Sequence, residues 1–269
     1  MMKNEEAKKY IQTYYMKTNV YYHIWAPTNT DMWKIMVDEQ IKRLYRSGLP
    51  EIANVKCAIN GLQASRIADF VSLYDWIDIL DVQDSDNEYE GLTLKHLYED
   101  CINKTVDKVM YFHTKGMSHM CGTRDHYSDR KVRAINSWRH LMEWGCIDKW
   151  KENLDKLDEY QVSGVNYCLD PWPHMSGNFW WGRADYISTL QHPINDAFVR
   201  EKEDFGPIER MNFEKWIGMK NPSTFSFYNA PFSYDFKGMK PDMQPTPDGE
   251  PHWFWLYRDD IHPHYLKEL

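Results

Sequence analysis

The sequence predicts an α/β fold, in which a central and mostly parallel β-sheet is flanked by helices within a single domain. Short runs of β-branched and aromatic residues alternate with segments of helical spacing from residue 19 to residue 116. The segments between successive runs are long enough to hold a crossover helix, which parallel neighbouring strands require. Several of the runs end in Gly, Asn or Pro, as strands do where they leave a sheet.

The first three predicted elements form a β-α-β unit. Residues 20–25 (V-Y-Y-H-I-W) are the first strand candidate. A helix candidate with apolar residues near a 3.6-residue repeat opens at Asp31 and is ended by Ser47 and Gly48. Residues 55–59 (V-K-C-A-I) are the second strand candidate. The handedness rule for crossovers predicts that these two strands are parallel.

The chain continues with a helix candidate over residues 63–74 and a third strand candidate over residues 76–82. In the acidic loop that follows, Asp84 and Asp86 have the spacing of a metal-binding Asp-x-Asp pair. An acidic loop at a strand end is more often solvated surface, so both interpretations stay open here. A helix over residues 94–103 then leads to the fourth strand.

Residues 108–116 (K-V-M-Y-F-H-T-K-G) contain the fourth strand and the first candidate site. An apolar run of four residues stops abruptly at His113, Thr114, Lys115 and Gly116. In open α/β sheets, ligands bind at the carboxyl ends of the strands. The lysine offers a point charge for a phosphate, and the glycine lets the backbone approach a ligand closely. A polar strand exit without a ligand is the alternative that this stretch alone leaves open.

The second candidate site lies at residues 173–181 (P-H-M-S-G-N-F-W-W). Gly177 removes a side chain where bulky aromatics converge, which suits a backbone that lies against a ligand. Ser176 and Asn178 add hydrogen-bonding groups, and Trp180 adds a planar apolar face. A buried strand within a Trp-rich core is the alternative.

The rest of the second half is predicted to be mainly helical. Residues 117–130 form a polar loop, either a lid or an ordinary long loop. Helices are expected over residues 131–150, 153–160, 184–190 and 208–217, with a strand over residues 162–167. Glu209 lies near the positive end of the last helix.

Composition and charge argue against several classes of protein. The 269 residues carry a net charge of −8 and a pI near 5.8, without Lys- and Arg-rich blocks, which disfavours nucleic-acid binding. No apolar stretch approaches the roughly 20 residues of a transmembrane helix. With no signal-peptide core at the N-terminus, we expect a cytoplasmic protein. Neither G-x-G-x-x-G nor a P-loop motif occurs, and the five cysteines form no C-x-x-C pair.

The motifs Y-F-H-T-K-G (111–116) and H-M-S-G-N-F-W-W-G-R-A-D-Y (174–186) resemble a family of glycosyltransferases with a GT-A-like, Rossmann-type fold. The family occurs in bacterial polysaccharide clusters and in large DNA viruses, including chloroviruses, and the resemblance runs from about residue 21 to residue 217. It implies inverting transfer of a sugar from a nucleotide sugar, expected to be a UDP-sugar such as UDP-xylose, to a hydroxyl of a glycan acceptor. Viral capsid glycosylation or surface polysaccharide synthesis would be the setting, and a viral enzyme would act in the host cytoplasm.

The resemblance also implies a role for each half of the domain and for particular residues. Within residues 1–269, a lead-in helix (1–18) precedes a nucleotide-binding half (19–116), an acceptor and donor-sugar half (117–217) and an aromatic C-terminal extension (218–269). The implied substrate-binding residues are Ile24, Trp25, Asn60 and Gly61 for base and ribose, His113, Thr114, Lys115, Gly116 and Arg139, and, around the sugar, Ser176, Gly177, Asn178 and Trp180. Glu209 and Asp170 are the candidates for the base that deprotonates the acceptor, with His174 beside them as a binding group.

This chain departs from the family pattern at the fourth strand. Most GT-A enzymes carry Asp-x-Asp at the end of the strand that here ends in His113, Thr114 and Lys115. A carboxylate pair holds a divalent metal against the diphosphate, whereas a lysine, a histidine and an arginine of the lid neutralise it directly. We therefore expect no cofactor, with Mn²⁺ or Mg²⁺ held by Asp84 and Asp86 as the alternative.

Two other functional classes compete with a transferase. The 12 Trp and 18 Tyr residues would also suit a non-catalytic carbohydrate-binding protein, although such a protein would not need H-T-K-G at a strand end. A metal-dependent phosphohydrolase is disfavoured because the sequence contains no clustered ligand motif.

Overall fold

The computed structural model describes residues 17–27, 31–85, 89–120, 129–169, 172–195 and 209–227. Its nine strands are β1 (Thr18–Ala26), β2 (Asn54–Gly61), β3 (Ile77–Gln83), β4 (Lys108–His113), β5 (Val162–Gly164), β6 (Tyr167–Cys168), β7 (His174–Met175), β8 (Trp180–Arg183) and β9 (Thr224–Ser226). Seven of these form one sheet in the order β3-β2-β1-β4-β8-β5-β9, and β6 pairs with β7 separately. All neighbours in the large sheet are parallel except β8, which runs antiparallel to β4 and β5. The predicted α/β class with a mostly parallel sheet is confirmed.

Helices cover both faces of this sheet. They are α1 (Met32–Ser47), α2 (Ala64–Val71), α3 (Gly91–Ile102), α4 (Met117–Met120), α5 (Asp129–Glu143), α6 (Trp150–Lys156), α7 (Ala184–Ile187) and α8 (Glu209–Trp216). Tyr22 of β1 packs in one core with Met36 of α1 and Ile67 of α2. Its neighbour Tyr21 belongs to a second core with Leu94 of α3. Because successive strand residues point to opposite faces, the sheet lies between two helical layers.

The elements predicted before residue 116 are confirmed, with ends that shift by a few residues. Strands β1 to β4 and the three connecting helices occur in the expected order. The sequence is most informative here because the central strands are buried on both faces and so appear as continuous apolar runs. These strands are the part of the sheet that positions the candidate site.

The helix predicted over residues 131–150 is interrupted. It ends at Glu143, a π-helical turn follows over Trp144–Asp148, and α6 begins at Trp150. The indole of Trp181 donates to the carbonyl of Cys146 at 2.8 Å, so a side chain satisfies a backbone group that the turn releases. This side-chain contact comes from a distant strand and is invisible to local periodicity.

The strand predicted over residues 162–167 is also divided. Asn166 has a positive φ of 56°, which separates β5 from β6. The helix predicted over residues 184–190 is the single turn α7. Of the predicted lead-in, residues 17 and 18 are described, and Thr18 already belongs to β1; residues 1–16 and the extension beyond residue 227 lie outside the described part of the chain.

No helix in the described ranges is both long enough and apolar enough to cross a membrane.

Candidate active site

A pocket lies at the carboxyl ends of β1 and β4. The chain runs outwards from β1 to β2 and β3, and then returns to β4 on the other side of β1. This reversal of strand order is a topological switch point, and open α/β sheets bind ligands in the crevice that it leaves. Its described lining residues are His23, Trp25, Tyr89, Glu90, His113, Thr114, Gly116, Met117 and Ser118.

Glu90 is the buried carboxylate of this pocket. It immediately precedes α3 and is 4% exposed. The hydroxyl of Tyr111 donates to Glu90 Oε2 at 3.1 Å, and Asn178 Nδ2 donates to the same oxygen. The other oxygen lies 3.3 Å from Nδ1 of His113. Since a buried carboxylate is stable only when donors surround it, these contacts fix Glu90 between β4 and the turn that contains Asn178.

His113 lies between two acceptors. Its Nε2 is 2.9 Å from the carbonyl oxygen of Gly177, and its Nδ1 faces Glu90. A carbonyl oxygen can only accept a hydrogen bond, so Nε2 carries a proton. The other ring nitrogen, Nδ1, lies 3.3 Å from Glu90 Oε1, which makes an ion pair when the imidazole is protonated. His113 therefore brings the first and second sequence motifs together.

Thr114 extends the contact between β1 and β4 past the end of the regular ladder. Its hydroxyl accepts a hydrogen bond from the backbone N–H of Trp25 at 3.0 Å and lies 3.2 Å from the carbonyl of the same residue. On the adjacent strand, His23 Nδ1 is 2.9 Å from the hydroxyl of Thr93 on α3. These contacts hold the floor of the pocket with side-chain hydrogen bonds at a point where backbone pairing stops.

Lys115 and Gly116 begin the segment that leaves the sheet. The ammonium of Lys115 lies 3.3 Å from Glu214 Oε1 on α8 and 4.5 Å from the centre of the Trp138 ring. Gly116 has a φ of 88°, and a Cβ there would lie 2.5 Å from a methyl carbon of Ile135 on α5. The glycine is thus required by the backbone turn and by packing, while Lys115 is engaged with α8.

The second motif forms a tight turn, and much of it is core. Gly177 has a φ of 68°, and its position leaves no room for a Cβ because Met142 Sδ would lie 2.2 Å away. Asn178 accepts a hydrogen bond from the indole of Trp180 at 2.8 Å, and Trp180 is fully buried. Ser176 is also buried, with its N–H bonded to Asn166. Trp180 therefore lies in the core, as the alternative interpretation of this motif expected. Gly177 packs tightly against protein side chains.

The residues expected to contact base and ribose divide into two groups. Ile24 is fully buried in the core on one face of the sheet, whereas Trp25 lines the pocket. Asn60 is fully buried at the end of β2 and donates to the carbonyl of Tyr89 at 3.1 Å. Gly61 has a φ of 106°, and a Cβ there would lie 2.3 Å from the carbonyl oxygen of Ala26. Trp25 and Asn60 are thus the members of this set that adjoin the pocket.

Arg139 belongs to a buried charge network behind β4 and is absent from the pocket lining. It donates to Glu143 at 2.8 Å and to Glu39 at 2.8 Å. Burial alone would lower the pKa of Arg139, but the two carboxylates outweigh it and raise that pKa. The hydrogen bond with His140 lowers the pKa of Glu39 to about 2. The network holds α5 against α1.

Gln40 connects that network to the pocket. Its side-chain amide donates to Glu143 at 2.7 Å and to the carbonyl of His113 at 3.2 Å. Its oxygen accepts a hydrogen bond from the hydroxyl of Tyr22 at 2.6 Å. Burial and then the charge of Glu143 raise the pKa of Tyr22, which keeps this hydroxyl a neutral donor. Through Gln40, the charge network fixes the backbone at the end of β4.

The three predicted catalytic residues are only partly described. Glu209 is the first residue of α8, but its side chain lies outside the described part, as does Asp170 altogether. His174 is 8% exposed, and its Nδ1 lies 2.7 Å from the carbonyl of Trp172. Glu209 and Asp170 therefore stay predictions, and His174 lies in the small β6–β7 sheet.

Asp84 of the acidic loop lies just beyond the end of β3, which is an edge strand of the sheet. Asp84 follows β3, which is separated from β4 by β2 and β1, a distance of about 14 Å at the usual strand spacing. Both of its carboxylate oxygens accept from the hydroxyl of Ser65. Asp86 lies outside the described residues. Across the described ranges, no group of three or more His, Cys, Asp or Glu side chains is arranged to hold a metal ion.

Sequence reasoning missed Glu90, His23 and Gln40. Glu90 appears in the sequence only as a residue before a helix, and His23 lies inside an apolar strand run. The register that pairs His23 with His113 on parallel strands was the signal that could have found the histidine. Gln40 is a polar residue on the apolar face of α1, a pattern that indicates a buried hydrogen-bonding partner.

Several solved structures resemble this chain, among them the following two. A candidate nucleotide-diphospho-sugar transferase from Desulfovibrio desulfuricans G20 is 11% identical, with a TM-score of 0.43, covering 79% of this chain and 80% of that one. A 4-diphosphocytidyl-2C-methyl-D-erythritol synthase from Anaerococcus prevotii DSM 20548 is 9% identical, with a TM-score of 0.42, covering 80% and 90%.

A search of curated proteins found no significant match. The sequence profile described as "Domain of unknown function (DUF8361)" matches residues 21–240, which contain the sheet from Tyr21 onwards and every described residue of the pocket lining. The chain therefore belongs to the DUF8361 family.

Proposed function

We propose that this protein is a glycosyltransferase that binds the diphosphate of a nucleotide sugar at the carboxyl ends of β1 and β4. The observation that carries the proposal is the position of the pocket at the switch point between these two strands. His113, Thr114 and Gly116 of the motif on which the family resemblance rests line this pocket, and Lys115 lies between the last two in the chain. Lys115 supplies positive charge, which a diphosphate requires.

Asn60 supports binding of a nucleoside, with uridine as the proposed one. Its amide nitrogen donates to the carbonyl of Tyr89, a pocket residue, but its fully buried Oδ1 has no partner among the described residues. A buried carbonyl oxygen without a donor costs about 1 to 3 kcal/mol, so a ligand donor would stabilise it. The imide N–H of uracil or a ribose hydroxyl provides such a donor.

Lys115 supports neutralisation of the diphosphate without a metal ion. Lys115 lies between two lining residues, Thr114 and Gly116, and its ammonium is held by the carboxylate of Glu214 at 3.3 Å. A lysine at this point supplies a charge where an Asp-x-Asp pair would instead need a cation to reverse its sign. Mn²⁺ or Mg²⁺ held by Asp84 and Asp86 stays the alternative. We also propose that the enzyme transfers the sugar to a glycan acceptor with inversion of configuration.

The competing carbohydrate-binding function was based on the abundance of Trp and Tyr, and two adjacent tryptophans do not support it. Trp180 and Trp181 are both fully buried, so neither presents a ring to a sugar at the surface. The pocket instead presents imidazole, hydroxyl and carboxylate groups, which suit a charged and hydrogen-bonding ligand. We therefore favour the transferase.

Thermal melting with UDP, GDP and dTDP, each with Mn²⁺ or with chelator, tests the proposal. A ligand at about 100 times its Kd stabilises the folded state by about 2.7 kcal/mol. For a chain of this size we expect a rise in Tm of about 5 to 10 °C with UDP that survives chelator. A UDP effect that requires Mn²⁺ would favour the acidic loop.

Turnover is then tested by release of UDP from a panel of UDP-sugars, UDP-xylose included. Lys115→Met should abolish both the melting shift and turnover, whereas the matched Lys108→Met, at the opposite end of β4, should change neither. No melting shift with any nucleoside diphosphate would contradict the transferase.

A further inference from the structure

We propose that Glu214 on α8 is the general base of the transfer, and that Lys115 holds it until the donor diphosphate draws the lysine away. This inference rests on the proposed function and names a residue that the sequence did not single out. Glu209 and Asp170 were the carboxylates expected for this step. Glu214 is on the same helix as Glu209 and has described contacts with the site.

The ion pair between Lys115 and Glu214 is sheltered but loose. The side chains are 9% and 14% exposed, and the ammonium and carboxylate are 3.3 Å apart. Strong charge-assisted hydrogen bonds are about 2.7 to 2.9 Å long, so the 3.3 Å distance of this pair is longer than that of a strong bond. The ring of Trp138 faces the ammonium at 4.5 Å and offers a second favourable surface for the cation. The lysine can therefore change partner while remaining beside an aromatic face.

A diphosphate is a better partner for this lysine than one carboxylate. It carries more than one negative charge and several acceptor oxygens, and a sheltered ammonium is stable only while an anion faces it. Before the donor binds, Glu214 supplies that anion. Once the diphosphate binds at the end of β4, the lysine can turn to it and leave Glu214 ionised and unengaged by the lysine.

Glu214 is next to the turn that would hold the sugar. The carbonyl of its neighbour Phe213 accepts a hydrogen bond from Asn178 at 3.4 Å. Asn178 in turn donates to Glu90, which lines the pocket. This chain of contacts places the backbone of α8 at Phe213 beside the second motif, and Glu214 is the next residue of that helix.

The resulting step balances in atoms and charge. The acceptor oxygen attacks the anomeric carbon while its proton moves to the carboxylate of Glu214. The bond between the anomeric carbon and the phosphate oxygen breaks, and its electron pair leaves with the nucleoside diphosphate. Lys115 faces the charge that develops on that oxygen, and Glu214 later returns its proton to water. The exchange predicts ordered binding, with the donor before the acceptor.

Four variants test this order of events: Glu214→Gln, Glu214→Asp, Lys115→Met, and Asp158→Asn as a matched control. Asp158 pairs with Lys108 at 2.6 Å at the opposite end of β4, so its loss also removes an ion pair of a lysine on that strand. UDP affinity is measured by calorimetry with chelator present. Turnover is measured as UDP released from saturating UDP-sugar with acceptor.

Glu214→Gln should bind UDP about fivefold more tightly, because Lys115 no longer has to break an ion pair with residue 214 before it turns to the diphosphate. Its turnover should fall about 100-fold or more, as expected for loss of a general base. Lys115→Met should bind UDP at least tenfold more weakly. Asp158→Asn should change neither quantity more than about twofold.

Glu214→Asp keeps the charge but withdraws it by about one bond length, roughly 1.5 Å. It should bind UDP at least as tightly as the wild type, with turnover lowered about tenfold. This variant gives the same comparison if Glu214→Gln does not fold.

Weaker UDP binding by Glu214→Gln, similar to that of Lys115→Met, would overturn the exchange, because Glu214 would then only orient the lysine. Unchanged turnover of Glu214→Gln would show that Glu214 is not the general base. If the wild type binds no nucleoside diphosphate, the proposed function fails and this inference fails with it. That result differs from the other two, in which the wild type binds.

Discussion

Gly177 offers a sharp test of the packing around the candidate site. Its φ is 68°, and a Cβ built on it would lie 2.2 Å from Met142 Sδ and 3.2 Å from the ring of Trp138. Gly48 has nearly the same φ, 72°, but a Cβ there would have no atom within 4 Å. Substitution of each by Ala therefore separates the cost of the backbone conformation from the cost of the clash.

The two contributions can be estimated. An Ala in the left-handed region costs about 1 to 2 kcal/mol, which is the whole effect expected for Gly48→Ala. Gly177→Ala should add about 1 to 3 kcal/mol for overpacking, since the far end of Met142 must move. For a chain of this size, each kcal/mol lowers Tm by about 2 to 4 °C. We expect Tm to fall by about 3 to 6 °C for Gly48→Ala and by about 5 to 15 °C for Gly177→Ala.

Thermal melting measures the stability difference, and UDP titration measures its effect on the site. The carbonyl of Gly177 accepts the hydrogen bond from His113, so Gly177→Ala should also weaken UDP binding while Gly48→Ala leaves it unchanged. If the two variants melt within about 1 °C of each other and bind UDP equally, the packing argument is refuted.

Three further predictions concern buried and charged groups. Glu90→Gln should lower the free energy of unfolding by about 2 to 4 kcal/mol, because the Tyr111 hydroxyl and the Asn178 amide lose a charged acceptor and the His113 ring loses the carboxylate it faces. Denaturant unfolding should show Glu99→Gln, a substitution at an exposed residue of α3, within about 0.5 kcal/mol of the wild type. The hydrogen bond from His140 lowers the pKa of Glu39 to about 2, so ionised Glu39 stabilises the fold above its unfolded pKa of about 4.5 and this stability is lost as pH falls towards 2. Melting from pH 2 to 6 should therefore show a steeper acid loss in the wild type than in Glu39→Gln, and equal slopes would contradict this. Burial raises the pKa of the Cys57 and Cys101 thiols to about 12, so iodoacetamide at pH 8 should leave both unmodified in the native protein and label them in urea, as mass spectrometry can show.

The part of the fold that the sequence predicts best is the part with local signals. The strands ending at Ala26, Gly61 and His113 appear as apolar runs followed by polar or glycine residues. The second half depends on distant contacts instead. The indole of Trp181 stabilises the π-helical turn, and Asn166 divides a strand by its own backbone conformation. Neither effect produces a periodic pattern.

The candidate site divides in the same way. Thr114 and Trp25 were recognisable because they end adjacent strands. Arg139 and Trp180 looked equally suitable in the sequence, but residue type alone does not show whether a side chain faces ligand or core. Both are buried in protein contacts that only the tertiary structure reveals.

Two buried carboxylates act on His113, one on its ring and one on its backbone, and this arrangement fixes the strand end from which Lys115 extends. Glu90 faces the imidazole directly, while Glu143 acts on the carbonyl of the same residue through Gln40. With both ring and backbone fixed, the chain leaves β4 in one direction, and its first long side chain is that of Lys115. Its ion pair with Glu214 is 3.3 Å long, which is longer than a strong charge-assisted hydrogen bond. The proposed exchange therefore requires the side chain of Lys115 to move while the end of the strand stays fixed.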